Sequence, residues 1–250
     1  SYTYIATMGL AMEAAAEQGI GFVVLDRPNP LGGEIVEGGV VQEGFESFVS
    51  PFPIPYRYGL TAGELARMLI GEGWLEGGAA PALEVIPMQG WERSMSFEAT
   101  GLPWVPTSPH IPHARSPYHY VSSGIMGELG VFSEGVGYTL PFEVFAAEWL
   151  DAGETARRMN ALGLPGFRFR PITFRPYYGR DQGKTLHGVH VHVTDAAAVE
   201  LVPLQFWFMQ VHHEMHPEVD VFELSRDRWA MFDRVNGTDR IRERFSRRYR

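Results

Sequence analysis

TYIATMGLAMEAAAEQGIGFVVLDRPNPLGG, Thr3 to Gly33, decides the fold class. Ile5, Met8, Met12 and Ala15 or Ala16 recur at helical spacing, so residues 3–18 are expected to form a helix that Gly19 stops. GFVVLD, 21–26, then reads as a short strand, apolar at successive positions like a parallel strand buried on both faces. A helix, a glycine and a wholly apolar strand ending in Asp form half of an α/β repeat. Ligands bind open parallel sheets at the carboxyl ends of strands, which marks Asp26 and the loop behind it with Arg27 and Asn29. The competing reading of Asp26 is structural: a carboxylate bonding the loop that Pro28 and Pro30 shape.

Beyond that unit, 34–59 is irregular, with prolines at 51, 53 and 55. A domain boundary is placed there, giving 1–49 and 50–250. TAGELARMLIGEG, 61–73, reads as a helix whose Thr61 N-cap and Glu64 complete a capping box. LEVIPM, 83–88, reads as a strand, and 101–137 as a long Pro-, Ser-, His- and Gly-rich loop, a length that is usually functional. A helix is expected over 152–164, alternating strands over 166–176 and 188–195, a helix over 195–215 capped by Asp195, and a basic helix over 239–250. The fold class is therefore α/β with a mixed sheet in the second part.

The chain has 250 residues, 45% of them hydrophobic, enough for a sizeable core. Its 30 acidic and 21 basic side chains give a net charge of −9, which argues against non-specific nucleic-acid binding. No cysteine is present, excluding disulfides, Cys-ligated zinc and thiol catalysis. No apolar run approaches the length of a membrane span. SYTYIATM reads as the interior of a longer protein.

His190 and His192 share one strand face near His187 and could share a metal, but no carboxylate sits at a ligand spacing, so solvated strand histidines are the better reading. VHHEMH fails the zinc-protease pattern H-E-x-x-H, because the His after the Glu comes one residue too close to stack with the His before it on one helical face. No metal, nicotinamide or other cofactor is implied. Arg168, Arg170 and Arg175 read either as a solvated strand face or as an anion-binding face. The stronger constellation is five polar loops, DRPNP (26–30), EGG (37–39), PYRYGLT (55–61), SPH (108–110) and GELGVFSEGVGYTLPFE (127–143). Each sets a charged or hydroxyl residue beside Gly or Pro, as in a lined cleft.

LDRPNPLGG, the IP-x-RYGLT-x-GELA run from Ile54 to Ala66, GW-x-R at 90–93, SP-x-IP from Ser108 and SEG-x-G-x-T-x-PFE at 133–143 carry a resemblance. So do LPGFRFRP (164–171), GVHVHVTD (188–195) and FDRVNGTDRIR (232–242). Together they resemble NamZ-type exo-β-N-acetylmuramidases, a bacterial family formerly catalogued as a domain of unknown function. The resemblance implies a Rossmann-like domain, whose tail would be 1–49, an α/β C-terminal domain, and an active-site cleft between them. It implies hydrolysis of terminal N-acetylmuramic acid from peptidoglycan fragments, and a periplasmic or extracellular location.

The sequence departs from the family in several places. The family's upstream Pro-Glu-His-Gly motif, whose Glu is thought to be catalytic, is not in this sequence, so a preceding segment or a second chain is expected to supply it. Val136 stands for an Arg, Tyr138 for a Thr and His110 for an Asn. An Arg pairs with a lactyl carboxylate and Val cannot. Glycoside cleavage needs an acid and a nucleophile or base. Of the carboxylates Asp26, Glu37, Glu128, Glu134 and Glu143, Glu128 and Glu134 are the catalytic candidates. Asp26, Arg27, Asn29, Arg57, Ser108, His110, Thr139 and Glu143 are the substrate-contact candidates. For Glu134 a loop carboxylate accepting backbone N–H bonds is an equal alternative, and a glycan-binding relative without turnover is the alternative for the whole.

Overall fold

The computed structural model describes residues 3–247. They form two compact units that divide between Trp104 and Val105.

In the first unit α1 (Tyr4–Glu17) leads into β1 (Phe22–Leu25), and α2 (Ala62–Gly71) into β2 (Leu83–Ile86). β1 and β2 pair in parallel, in register from Phe22↔Leu83 to Leu25↔Ile86. Met12 of α1, Leu65 and Leu69 of α2, Val24, Phe52 and Ile54 close the core. Residues 50–104, expected from the sequence to open the second domain, thus pack with the first helix and strand. Gly9 is fitted to this core, since a Cβ there would lie 2.6 Å from the Phe52 ring. α2 starts at the expected capping box, with Thr61 accepting from the Glu64 N–H and Glu64 returning the bond. β1 is not buried on both faces as read from its composition. Val24 faces the core, but Val23 and Leu25 are 55% and 70% exposed, because the helices pack only one side of the pair.

The second unit runs α3 (Ser116–Gly127), β3 (Val144–Ala147), α4 (Ala152–Ala161), β4 (Phe167–Phe174), β5 (Leu186–Val193), α5 (Leu201–Met215), α6 (Val221–Leu224), α7 (Trp229–Asn236) and α8 (Arg240–Ser246). The strands form an antiparallel sheet in the order β3-β5-β4. Phe145, Phe167, Phe169, Val189 and Val191 are buried on one face, where Phe208 of α5 stacks on Phe145 at 4.7 Å and Asn160 of α4 bonds the Phe169 main chain. On the other face Val144, Ala146, Phe174 and Leu186 pack under Tyr138 and Leu140 of the 133–142 loop. The two sheets, one parallel and one antiparallel, establish the mixed α/β class.

Three expectations change. The 101–137 stretch is not structureless, because it contains α3. That helix has poor propensity inside, at Ser122-Ser123-Gly124, although Pro117 suits its first turn. Burial holds it, and Ser122 and Ser123 donate to the carbonyls four residues back. α5 begins at Leu201 rather than 195, and Asp195 instead accepts from Ala197 N–H in a turn. The basic C-terminal helix is α8, and the last three residues of that expectation lie outside the described residues.

Candidate functional site

Asp26, Asn29 and Arg57, candidate residues of the first unit, are occupied in building it, while Arg27 is exposed. Asp26 accepts from Thr61 Oγ1 and Gly63 N–H, both at 2.8 Å, and so ties the end of β1 to the start of α2. Gly63 permits this, since a Cβ would stand 2.9 Å from the Asp26 carboxyl carbon. Arg27 gives its main-chain N–H to Asp26, and Asn29 bridges Leu60 O and Leu31 N–H. Arg57 is buried, paired with Glu37 and donating to Leu31 O. These contacts are scaffold contacts.

In the second unit the 127–143 segment carries both catalytic candidates. Glu128 caps the C-terminus of α3 and pairs with Arg228 at 3.2 Å. Glu134 lies against the last residue of α3, where Gly127 makes room: a Cβ there would meet the Glu134 carboxyl carbon at 3.1 Å. Its nearest cation is Arg180, at 3.5 Å, which is itself anchored on Phe132 O. Burial raises the pKa of both carboxyls, outweighing their arginines. Main-chain geometry fixes the loop. Ser133 bridges to Ala146 of β3, while Gly135 and Gly137 have φ of 96° and 98° and would place a Cβ 2.1–2.2 Å from the carbonyls of Leu140 and Tyr178. Only glycine fits both the dihedral and the space.

The loop delivers Glu143 into a ring of histidines. Its carboxylate meets His113 Nε2 at 3.1 Å and His190 Nε2 at 3.2 Å, one on each oxygen. Arg170 can only donate, so at 3.4 Å from His190 Nδ1 it makes that atom an acceptor and leaves Nε2–H to bond Glu143. His119, on α3, is buried with its Nδ1 lacking a hydrogen-bond partner, and burial lowers its pKa to about 4. For Glu143, burial alone would raise the pKa. The hydrogen bond from His190 and the charges of His119, His113 and His190 together overcome it, and the net shift is downward. The residue before it, Phe142, has φ 68°, the only non-glycine positive φ among the described residues, and its carbonyl is held by Ser123 Oγ at 2.9 Å. Such strain costs about 1–3 kcal/mol and persists where surroundings impose it.

Ser116, His113 and Glu143 are linked like a nucleophilic triad, with Ser116 Oγ 3.2 Å from His113 Nδ1. Ser116 is fully buried in the first turn of α3 and also accepts from His113 N–H, so it is a turn hydroxyl rather than a nucleophile. Ser108 Oγ accepts from His110 N–H, and His110 bonds the Tyr178 hydroxyl at 3.0 Å. Thr139 is exposed. Tyr138 packs on Phe174 and Tyr177, so its ring serves the sheet cover. Of the sequence candidates, Glu128 and Glu134 come together around Arg180, and Glu143 joins the histidines. His113, His119 and Arg170 are partners that spacing could not reveal, while the shared face of His190 and His192 was legible from strand alternation. Among the described residues no group of three or more acidic or histidine ligands is arranged to hold a metal.

Residues 1–115 match the N-terminal model, and residues 118–250 the C-terminal model, of the family described as exo-beta-N-acetylmuramidase NamZ. The peptidoglycan beta-N-acetylmuramidase NamZ of Bacillus subtilis (strain 168) is 40% identical over 241 residues, covering 96% of this chain and 56% of its own length. A crystal structure of a DUF1343 family protein from Bacteroides fragilis NCTC 9343 superposes with a TM-score of 0.96 at 51% identity, over 100% of this chain and 65% of that one. A second DUF1343 protein of that organism shares the fold, with a TM-score of 0.73 at 24% identity, over 98% of this chain and 63% of that one. The chain thus spans a little over half the length of the curated relative.

Proposed function

The chain belongs to the NamZ exo-β-N-acetylmuramidase family, and on that premise we propose that the whole protein is a glycoside hydrolase releasing terminal N-acetylmuramic acid from peptidoglycan fragments. The observation that carries this reading is the contrasting setting of two carboxyls on one loop: Glu134 packed against Gly127 with Arg180 at 3.5 Å, and Glu143 held by an imidazole on each oxygen, so that burial raises the pKa of the first and the histidines lower that of the second. Glycoside cleavage uses such a pair, one protonated and one ionised at the same pH. Glu134 is the candidate acid, giving its proton to the leaving oxygen. Glu143 is the candidate anion, accepting hydrogen bonds from the sugar or a proton from the attacking water. Glu128 neighbours the acid and adds to its raised pKa. A segment upstream of this chain would supply the family's Pro-Glu-His-Gly carboxylate. Cell-wall substrate would place the protein outside the cytoplasmic membrane, and among the described residues no helix is long and apolar enough to cross one.

The test is release of chromophore from a chromogenic N-acetylmuramide, by this chain and by the protein extended to the length of its relatives. Absence of turnover by the extended protein counts against the hydrolase. Val136 and Tyr138, which depart from the family loop, favour a second reading, a glycan binder without turnover. Calorimetric binding of N-acetylmuramic acid with no release of chromophore is its signature.

A further inference from the structure

The 133–142 loop covers only part of its sheet face. It covers Phe174, Leu186, Ala146 and Val144 and ends at Glu143. Beyond it, register sets Arg168 opposite His192 and Arg170 opposite His190, and strand alternation sends all four to the loop-covered side. The imidazoles of His190 and His192 lie 4.1 Å apart. Both arginines are exposed. Their hydrogen bonds go to Phe167 O and His190 Nδ1, and among the described residues no acidic side chain pairs with either. Glu143, the acid at this edge, already has an imidazole on each oxygen. Two uncompensated guanidinium groups therefore flank the polar centre of a protein whose net charge is −9. Arg175, the third arginine of the run, lies past the end of β4 and bonds Thr185 instead.

We propose that Arg168, Arg170 and His192 form a carboxylate-binding subsite beside Glu143, which takes the acidic substituent of an amino sugar. This rests on the glycosidase reading and identifies what selects the substrate. A guanidinium fork matches a carboxylate with two parallel hydrogen bonds. N-acetylmuramic acid differs from N-acetylglucosamine by a lactyl ether carrying one carboxylate, so a cationic ledge at the edge of the sugar site discriminates the two.

Calorimetry on the full-length protein with N-acetylmuramic acid and N-acetylglucosamine tests this, using wild type, the double variant Arg168→Met/Arg170→Met and the control Arg175→Met. Thermal melting of each checks folding. Wild type and control should prefer the acidic sugar. The double variant should lose roughly ten- to hundredfold in affinity for it, and with that its preference over the neutral sugar. A wild type without preference, or a double variant that keeps it, overturns the subsite. The chromogenic assay separates this from the parent reading. Arginine-dependent preference without turnover overturns the hydrolase and leaves the subsite. Turnover of the muramide with undiminished kcat/KM in the double variant does the reverse.

Discussion

Side chains in the second unit are tuned by burial as much as by charge, and the consequences are measurable one residue at a time. His212 accepts a hydrogen bond from Trp149 Nε1 at 3.1 Å inside an aromatic cluster, and burial, with His216 and His213, lowers its pKa to about 3. The unfolded chain binds this proton near pH 6.5 and the folded one does not. The contribution is therefore fully present above pH 6.5 and is lost, at about 1.4 kcal/mol per pH unit, as pH falls towards 3. His212→Gln keeps an acceptor for Trp149 and removes the titration. Its unfolding free energy, measured by denaturant between pH 7 and pH 4, should fall less steeply than that of wild type, and parallel curves would refute the assignment. Glu134→Gln makes the opposite kind of test. Burial opposes its ionisation, so the variant should keep or raise the melting temperature while turnover by the full-length protein falls about 10²- to 10⁴-fold. Retained turnover removes Glu134 from the acid role. Sequence marked Glu134 and Glu143 because glycine and proline fix backbone around them. It could not sort them from Asp26 or Arg57, because scaffold partners such as Glu37 and Thr61 lie 20 and 35 residues away.

Elements whose ends carry their own chemistry were legible, and those held by burial were not. α2 begins at Thr61 because its hydroxyl accepts from Glu64 N–H and donates to Asp26, and α4 begins at Asp151 because its carboxylate accepts from Glu154 N–H. Each signal lies within four residues of sequence. α3 carries no such signal. Its N-cap Arg115 makes no capping bond, and Gln205 of α5 satisfies its interior by accepting from Met126 N–H and donating to Val121 O. β3 is a four-residue apolar run, too short to separate from a buried helix segment by periodicity. The start of α5 slipped because Pro203 confines it to the first turn, where no intrahelical N–H is needed. Thr61→Ala tests the local rule. It removes the cap and the bond to Asp26 together, and should cost about 1–2 kcal/mol in chemical denaturation. A loss below a few tenths would show that the Asp26 link to Gly63 suffices.

At the scale of the molecule, the two units differ in how completely they cover their own sheets. The three-stranded sheet of the second unit has helices on one face and a loop and polar centre on the other. The first unit has two parallel strands, and parallel pairs are ordinarily covered on both sides. Here the helices take one side, while Val23 and, two register positions on, the paired Leu25 and Ile86 stand 55%, 70% and 44% exposed. A two-stranded sheet is marginal on its own. The curated relative is nearly twice as long as the matched region, since this chain spans 56% of it. Extending the protein to that length should therefore cover this face. This chain should bind a hydrophobic dye such as ANS, the extended protein should bind much less, and Leu25→Ser should lower dye binding by the short chain alone. Equal dye binding by the two lengths would mean that the apolar face stays open in the longer protein, and the exposed pair would then need another partner.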